Sequence, residues 1–132
     1  MDNYFEEFEE AYREAQKVGV CSCKNLAVYV SKIQSVKEKI SEDMTEWYEQ
    51  LFKVLANETR LKILIFLIKQ KKSCICEIAT TFEIDRGTLT YHLKLLRQVG
   101  LIKLKKVGKS KRVSISENYD QLLPGQFLQD LS

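Results

Sequence analysis

Apolar residues recur at steps of three and four along the first half of the chain. Tyr4, Phe5, Phe8, Tyr12 and Ala15 share one face over residues 1–17, which predicts an amphipathic helix. Gly19 breaks it. The same spacing resumes with Ile33, Val36, Ile40, Met44, Trp47, Tyr48, Leu51 and Leu55. One apolar stripe of that length predicts a single long helix over 28–55, a packing element that often meets its copy in a second subunit. Asn57 is placed to cap the next helix, with Glu58 in its first turn. That helix, ETRLKILIFLIKQ, is apolar on nearly every side and is expected to be buried.

A short helix is predicted at about 75–82, followed by the turn EID. Asp85 caps a second helix over 86–98, which ends at Gly100 as its C′ glycine. The period then changes to two. Ile102 and Leu104 alternate with Lys103 and Lys105, and Val113 and Ile115 with Arg112 and Ser114, so 101–116 reads as a β-hairpin turning near Gly108. Residues 117–132 hold at most one short helix, interrupted by Pro124-Gly125. The expected fold is mainly α with a small β-hairpin wing, a winged helix-turn-helix. The expected organisation is an acidic arm at 1–27 carrying a Cys-x-Cys pair, the long helix 28–55, the DNA-binding domain 56–116 and the tail 117–132. The winged segment is small for an independent core, because cores below roughly 70–80 residues seldom supply more than a few kcal/mol. Flanking helices and a second subunit are expected to complete the burial.

With 45% apolar and 30% charged residues, the 132-residue chain reads as globular. Its longest apolar run, ILIFLI at 63–68, is far below the roughly 18 residues needed to span a bilayer. MDNYFEEFEE has no basic leader region, so a cytoplasmic protein with no membrane partner is expected. The net charge of +3 conceals an asymmetry: residues 1–16 carry six acids and one base, whereas 86–116 carry nine bases and no acid. Such a block reads as a solvated face, a nucleic-acid site or a membrane-surface patch, and its place on the second helix and the hairpin favours nucleic acid.

In a helix-turn-helix the second helix enters the major groove and its N-terminal residues reach base edges. Here these are Arg86, Gly87, Thr88, Thr90 and Tyr91. Arg86 can pair with a guanine, and Gly87 lets the backbone approach closely. Lys94 follows on the same helix. The hairpin adds Lys103, Lys105, Lys106, Lys109, Lys111 and Arg112 as phosphate or minor-groove contacts. His92, the one histidine, is read as a packing or phosphate-contact residue rather than a metal ligand, and Trp47 and Tyr48 as core or dimer packing. Double-stranded DNA is the expected partner. One histidine, no glycine-rich phosphate loop and no supported nucleophile–base pair argue against an enzyme.

The four cysteines form two Cys-x-Cys pairs, Cys21/Cys23 and Cys74/Cys76. Within a regular helix, residues i and i+2 lie about 200° apart, so both thiols could not face one ion. At a helix start the constraint lifts. Cys74 falls at or near an N-cap, with Glu77 at the capping-box position, and the helix N-terminus with Lys71 and Lys72 favours negative charge there. Thiolates are soft ligands for zinc, cadmium, lead, copper(I) or trivalent arsenic. Redox chemistry, including a disulfide between the pairs, and inert buried thiols are the competing readings.

The stretch 51–116 resembles the ArsR/SmtB family of bacterial and archaeal repressors. VLANETRLKIL is similar to the family's opening helix with its leucine-alanine-x-x-x-arginine pattern. GTLTYHLKLLRQVGLI resembles its recognition helix, and KKVGKSKRVSIS its wing. The resemblance covers about half the chain. It implies a homodimer that binds an inverted-repeat operator and is released by an inducer. Cys74, Cys76 and Glu77 match the Cys-x-Cys-Asp/Glu pattern of its arsenic and cadmium/lead sensors. In the cadmium/lead type, N-terminal cysteines of the other subunit join the site; Cys21 and Cys23 are more closely spaced than that pattern. The family's other metal site, on a C-terminal helix rich in His and Asp, has no counterpart in 117–132. The expected function is therefore an operator-binding repressor controlled by a metal or metalloid (zinc, cadmium, lead or arsenite) on its cysteines. A redox-responsive regulator and a constitutive architectural DNA-binding protein are the alternatives.

Overall fold

The protein is described by a computed structural model covering residues 2–131, with side chains from Glu7 onward. Tyr4 and Phe5 of the first apolar stripe therefore lie outside the described side chains. The chain divides into two compact units, Met1–Glu46 and Trp47–Ser132.

In the first unit, α1 (Asp2–Lys17) ends at a turn where Gly19 takes φ +76°, a left-handed conformation suited to glycine. Next comes α2 (Leu26–Glu38), whose N-cap Asn25 accepts a bond from the Val28 N–H. Tyr29 is the centre of the packing. Its ring meets Tyr12 at 5.2 Å and Phe8 at 6.4 Å between centroids, which buries Tyr29 and its neighbour Val30.

The single helix expected over 28–55 is two helices. Between α2 and α3 (Glu42–Leu55) the chain leaves helical geometry, and the Ser41 hydroxyl oxygen accepts the Met44 N–H at 3.1 Å. Ser41 is thus an N-cap, and Glu42 and Asp43 complement the positive start of the new helix. The apolar stripe runs through the break, which is why periodicity alone concealed it.

The second unit holds the rest of α3 from Trp47, then α4 (Glu58–Gln70), β1 (Lys72–Cys74), α5 (Ile75–Phe82), α6 (Arg86–Gln98), β2 (Ile102–Val107), β3 (Ser110–Ile115), α7 (Tyr119–Leu122) and α8 (Gly125–Asp130). Asn57 caps α4 by accepting from the Arg60 N–H, as its position foretold. Ile63, Leu64 and Leu67 of α4 are fully buried against Leu51, Ile78, Leu89, Leu93, Leu96 and Val113. This one core joins every helix of the winged fold.

Two features were not expected. Lys72–Cys74 forms a third strand, so the sheet order is β1-β3-β2, all antiparallel, with Cys74 directly opposite Arg112. And residues 117–131 are no loose tail. Two short helices flank Pro124, Leu123 is buried in the core, and Tyr119, Phe127 and Leu131 pack on it.

Candidate DNA-reading surface and thiol cleft

Helix α5 starts at Cys74, whose sulfur accepts the Glu77 N–H at 3.4 Å. The thiol therefore does the work of an N-cap oxygen, in the position the sequence indicated. Glu77 does not close a capping box: its carboxylate turns to the buried Ser73 hydroxyl, which donates to it. At the other end, Glu83 takes the left-handed conformation (φ 53°) that reverses the chain. Asp85 then caps α6, accepting from the Thr88 hydroxyl at 2.6 Å and the Thr88 N–H at 3.0 Å. These two bonds hold its carboxyl below the usual carboxylate range. Gly87 serves this cap: a Cβ there would approach the Asp85 Oδ2 to 3.3 Å.

Helix α6 presents Arg86, Thr88, Thr90, Tyr91, Lys94 and Arg97 outward, with Tyr91 58% exposed. The Thr90 hydroxyl donates to the Arg86 carbonyl at 2.7 Å. Of the two roles read for His92, packing and phosphate contact, the structure bears out packing. The residue is buried, and its Nδ1 accepts from the Arg60 guanidinium at 3.2 Å. Burial, aided by the Arg60 charge, pushes its pKa below the ordinary 6.5, which favours the neutral ring. His92 is a core residue and is removed from the DNA-facing set. Arg60, the arginine of the leucine-alanine-x-x-x-arginine pattern, also donates to the Val54 carbonyl at 2.6 Å. It thereby ties the end of α3 to the recognition helix.

On the wing, Lys103, Lys105, Lys106, Lys109 and Lys111 are exposed and Arg112 is half-buried. Two like-charged pairs lie directly across the hairpin, Lys105↔Arg112 and Lys106↔Lys111. Such pairs destabilise an isolated hairpin. Among the described residues the ion pairs lie on α1, α3 and α4, and none engages a cation of α6 or the wing. Uncompensated repulsion of this kind is relieved by an anion.

Cys74 and Cys76 are exposed free thiols. The Arg86 Nη2 donates to the Cys76 sulfur at 2.7 Å, so the first residue of α6 touches the thiol pair. A cleft of about 300 Å³ between the start of α5, the start of α6 and the wing turn is lined by Cys74, Cys76, Arg86, Thr90, Lys109 and Lys111, among others. No sequence signal announced this contact between residues ten apart. The donor set is soft and suits a thiophilic ion, but among the described residues no three His, Cys, Asp or Glu side chains gather to hold a metal. One protomer thus offers two sulfurs.

Cys21 and Cys23 lie in the first unit, half-buried in the turn before α2, and they too are free. The Cys23 N–H donates to the Cys21 sulfur at 3.4 Å, and Tyr12 fixes the loop by donating to the Cys23 carbonyl. Hydrogen bonding from the Cys23 thiol, then from its N–H, lowers the pKa of Cys21; the shared thiol bond, with burial, raises that of Cys23.

A buried opening helix, a helix-turn-helix and a cationic β-wing define a winged helix-turn-helix DNA-binding protein. Residues 57–103 match the family described as bacterial regulatory protein, arsR family. The cadmium resistance transcriptional regulatory protein CadC of Listeria innocua is 30% identical over 87 residues, covering 66% of this chain and 73% of its own. The CadC homolog of Staphylococcus aureus is 29% identical over 107 residues, 80% of this chain and 88% of its own. A homodimeric winged helix-turn-helix domain from Mycobacterium bovis shares the fold, with TM-score 0.59 and 24% identity over 69% of this chain and 88% of that one. The chain belongs to the ArsR family. It is a DNA-binding transcriptional regulator and not an enzyme. Among the described residues no helix is long and apolar enough to cross a membrane.

Proposed function

We propose that this chain is a repressor that binds duplex DNA as a homodimer and lets go when a thiophilic metal or metalloid occupies Cys74 and Cys76. The observation that carries the reading is the placement of the thiol pair. Cys74 caps the first helix of the helix-turn-helix, and Cys76 touches Arg86, the first residue of the second. A change at the sulfurs therefore acts directly on the DNA-reading element. The relatives named for cadmium resistance support the choice of a thiophilic inducer. A bound ion would need donors beyond these two sulfurs, which a second protomer or a small thiol can provide. Arg86, Thr88, Thr90, Tyr91 and Lys94 are assigned to the DNA-facing side of α6, and Lys103, Lys105, Lys109, Lys111 and Arg112 to phosphates, with Gly87 serving the Asp85 cap.

The test uses a duplex selected from a random pool by the reduced, metal-free protein. Its affinity is titrated against cadmium, zinc, arsenite and an oxidant, with and without reductant. One of the thiophiles weakens binding about 5–150-fold, the span of ordinary allosteric coupling. The C74S/C76S variant still binds DNA and is no longer released. If the folded variant fails to bind DNA, the cysteines are structural; if it is released like the parent, they are not the sensor; either result defeats the reading. Release by oxidant alone would select the redox alternative.

A further inference from the structure

Resting on that reading, we infer that the thiol cleft is itself part of the DNA-contact surface and takes a backbone phosphate, so that DNA and inducer compete for one place. Three cations, Arg86, Lys109 and Lys111, converge on it from the recognition helix and the wing turn. These are the two elements that a winged helix-turn-helix lays on DNA. Among the described residues no carboxylate lines the cleft; the Glu77 carboxylate accepts from the Ser73 hydroxyl and faces the neighbouring cleft instead. The Cys76 sulfur engages one Arg86 nitrogen, Nη2. A guanidinium carries five N–H donors in a planar fork, so others stay available to a phosphate oxygen. The Thr90 hydroxyl, donating to the Arg86 carbonyl, also holds this corner in place.

Cys74 and Cys76 line the same walls. A group held on their sulfurs occupies the space a phosphate needs and disturbs the Arg86 contact. Ligand and phosphate exclude each other by volume and by their common claim on Arg86. Release of DNA thus needs no signal relayed through the core.

The experiment uses the reduced, metal-free full-length chain and iodoacetamide, a small neutral reagent that DNA does not repel. Alkylation rates of Cys74 and Cys76 are followed by peptide mass spectrometry, alone and with duplex DNA at low salt, where anisotropy shows the protein saturated. DNA slows both sites at least tenfold, and raising the salt until the complex dissociates restores the free rate. If saturated protein alkylates at the free rate, the cleft lies outside the DNA surface and the inference is overturned, whereas release through the core would still stand. If no DNA binds at all, the functional reading itself has failed.

Discussion

His92 shows how one side chain on a DNA-reading helix can belong to the core. Leu89, His92, Leu93 and Leu96 are spaced by three, one and three, and all four are buried. The ring thus sits within the apolar stripe of its helix, and this spacing was present in the sequence. What the sequence did not supply was its partner. Arg60, thirty-two positions away, donates to Nδ1 and keeps the neutral ring satisfied. The arrangement makes stability depend on pH. Burial, then Arg60, depress the folded-state pKa below 6.5, so the unfolded chain takes up a proton that the folded chain resists. This contribution is fully present above pH 6.5 and is lost as pH falls from there toward the depressed folded value. In urea titrations at pH 7.5 and 5.5, the parent should lose more stability on acidification than H92Q, whose amide can still accept from Arg60. Equal losses would show that the ring is not held neutral.

The elements were legible where their period is long and their caps are strong. Asn57, Cys74 and Asp85 each fall where the sequence placed a helix start, and β2 and β3 follow the alternation of Ile102, Leu104, Val113 and Ile115. Three features escaped for separate physical reasons. The Ser41 cap is local chemistry overlaid on an unbroken apolar stripe. A three-residue strand, Lys72–Cys74, is too short to show a period, and only its pairing with β3 defines it. Leu123 is held by the core although its flanking helices are too short to form alone. At this scale the wing carries a further prediction. Lys106↔Lys111 is a repulsive cross-strand pair, and relieving one such pair should add about 0.2–1 kcal/mol to stability. K111Q should therefore raise the melting temperature while weakening DNA binding. A plot of log affinity against log salt should flatten by about 0.9 for the lost phosphate contact. An unchanged slope would remove Lys111 from the phosphate-contact set.

At the scale of the whole molecule, the second unit carries a surface that one copy of the chain leaves unused. Trp47, Tyr48 and Phe52 of α3 are 43%, 45% and 59% exposed; Tyr48 meets Trp47 edge-on at 4.9 Å and Phe52 at a tilt at 5.9 Å between centroids. The sequence placed Trp47 and Tyr48 on one stripe with Leu51 and Leu55, left Phe52 out of it, and read the two aromatics as core or dimer packing; the structure splits that stripe, burying Leu51 and exposing Trp47, Tyr48 and Phe52. Their exposure argues for an interface, where large aromatic side chains supply most of the binding free energy. Two copies joined there would offer two recognition helices to one duplex. The second then binds at a high effective concentration instead of as an independent molecule. This predicts linked losses. By sedimentation, the full chain should be a dimer at micromolar concentration and W47A/F52A a monomer. Both residues are surface-exposed, so far-UV circular dichroism should show the variant folded. Its DNA affinity should fall more than tenfold, and doubling the half-sites in the duplex should no longer strengthen binding. A variant that stays dimeric would place the interface on another face. A monomer with undiminished affinity would mean that each copy reads DNA alone, and the inverted-repeat operator would lose its physical basis.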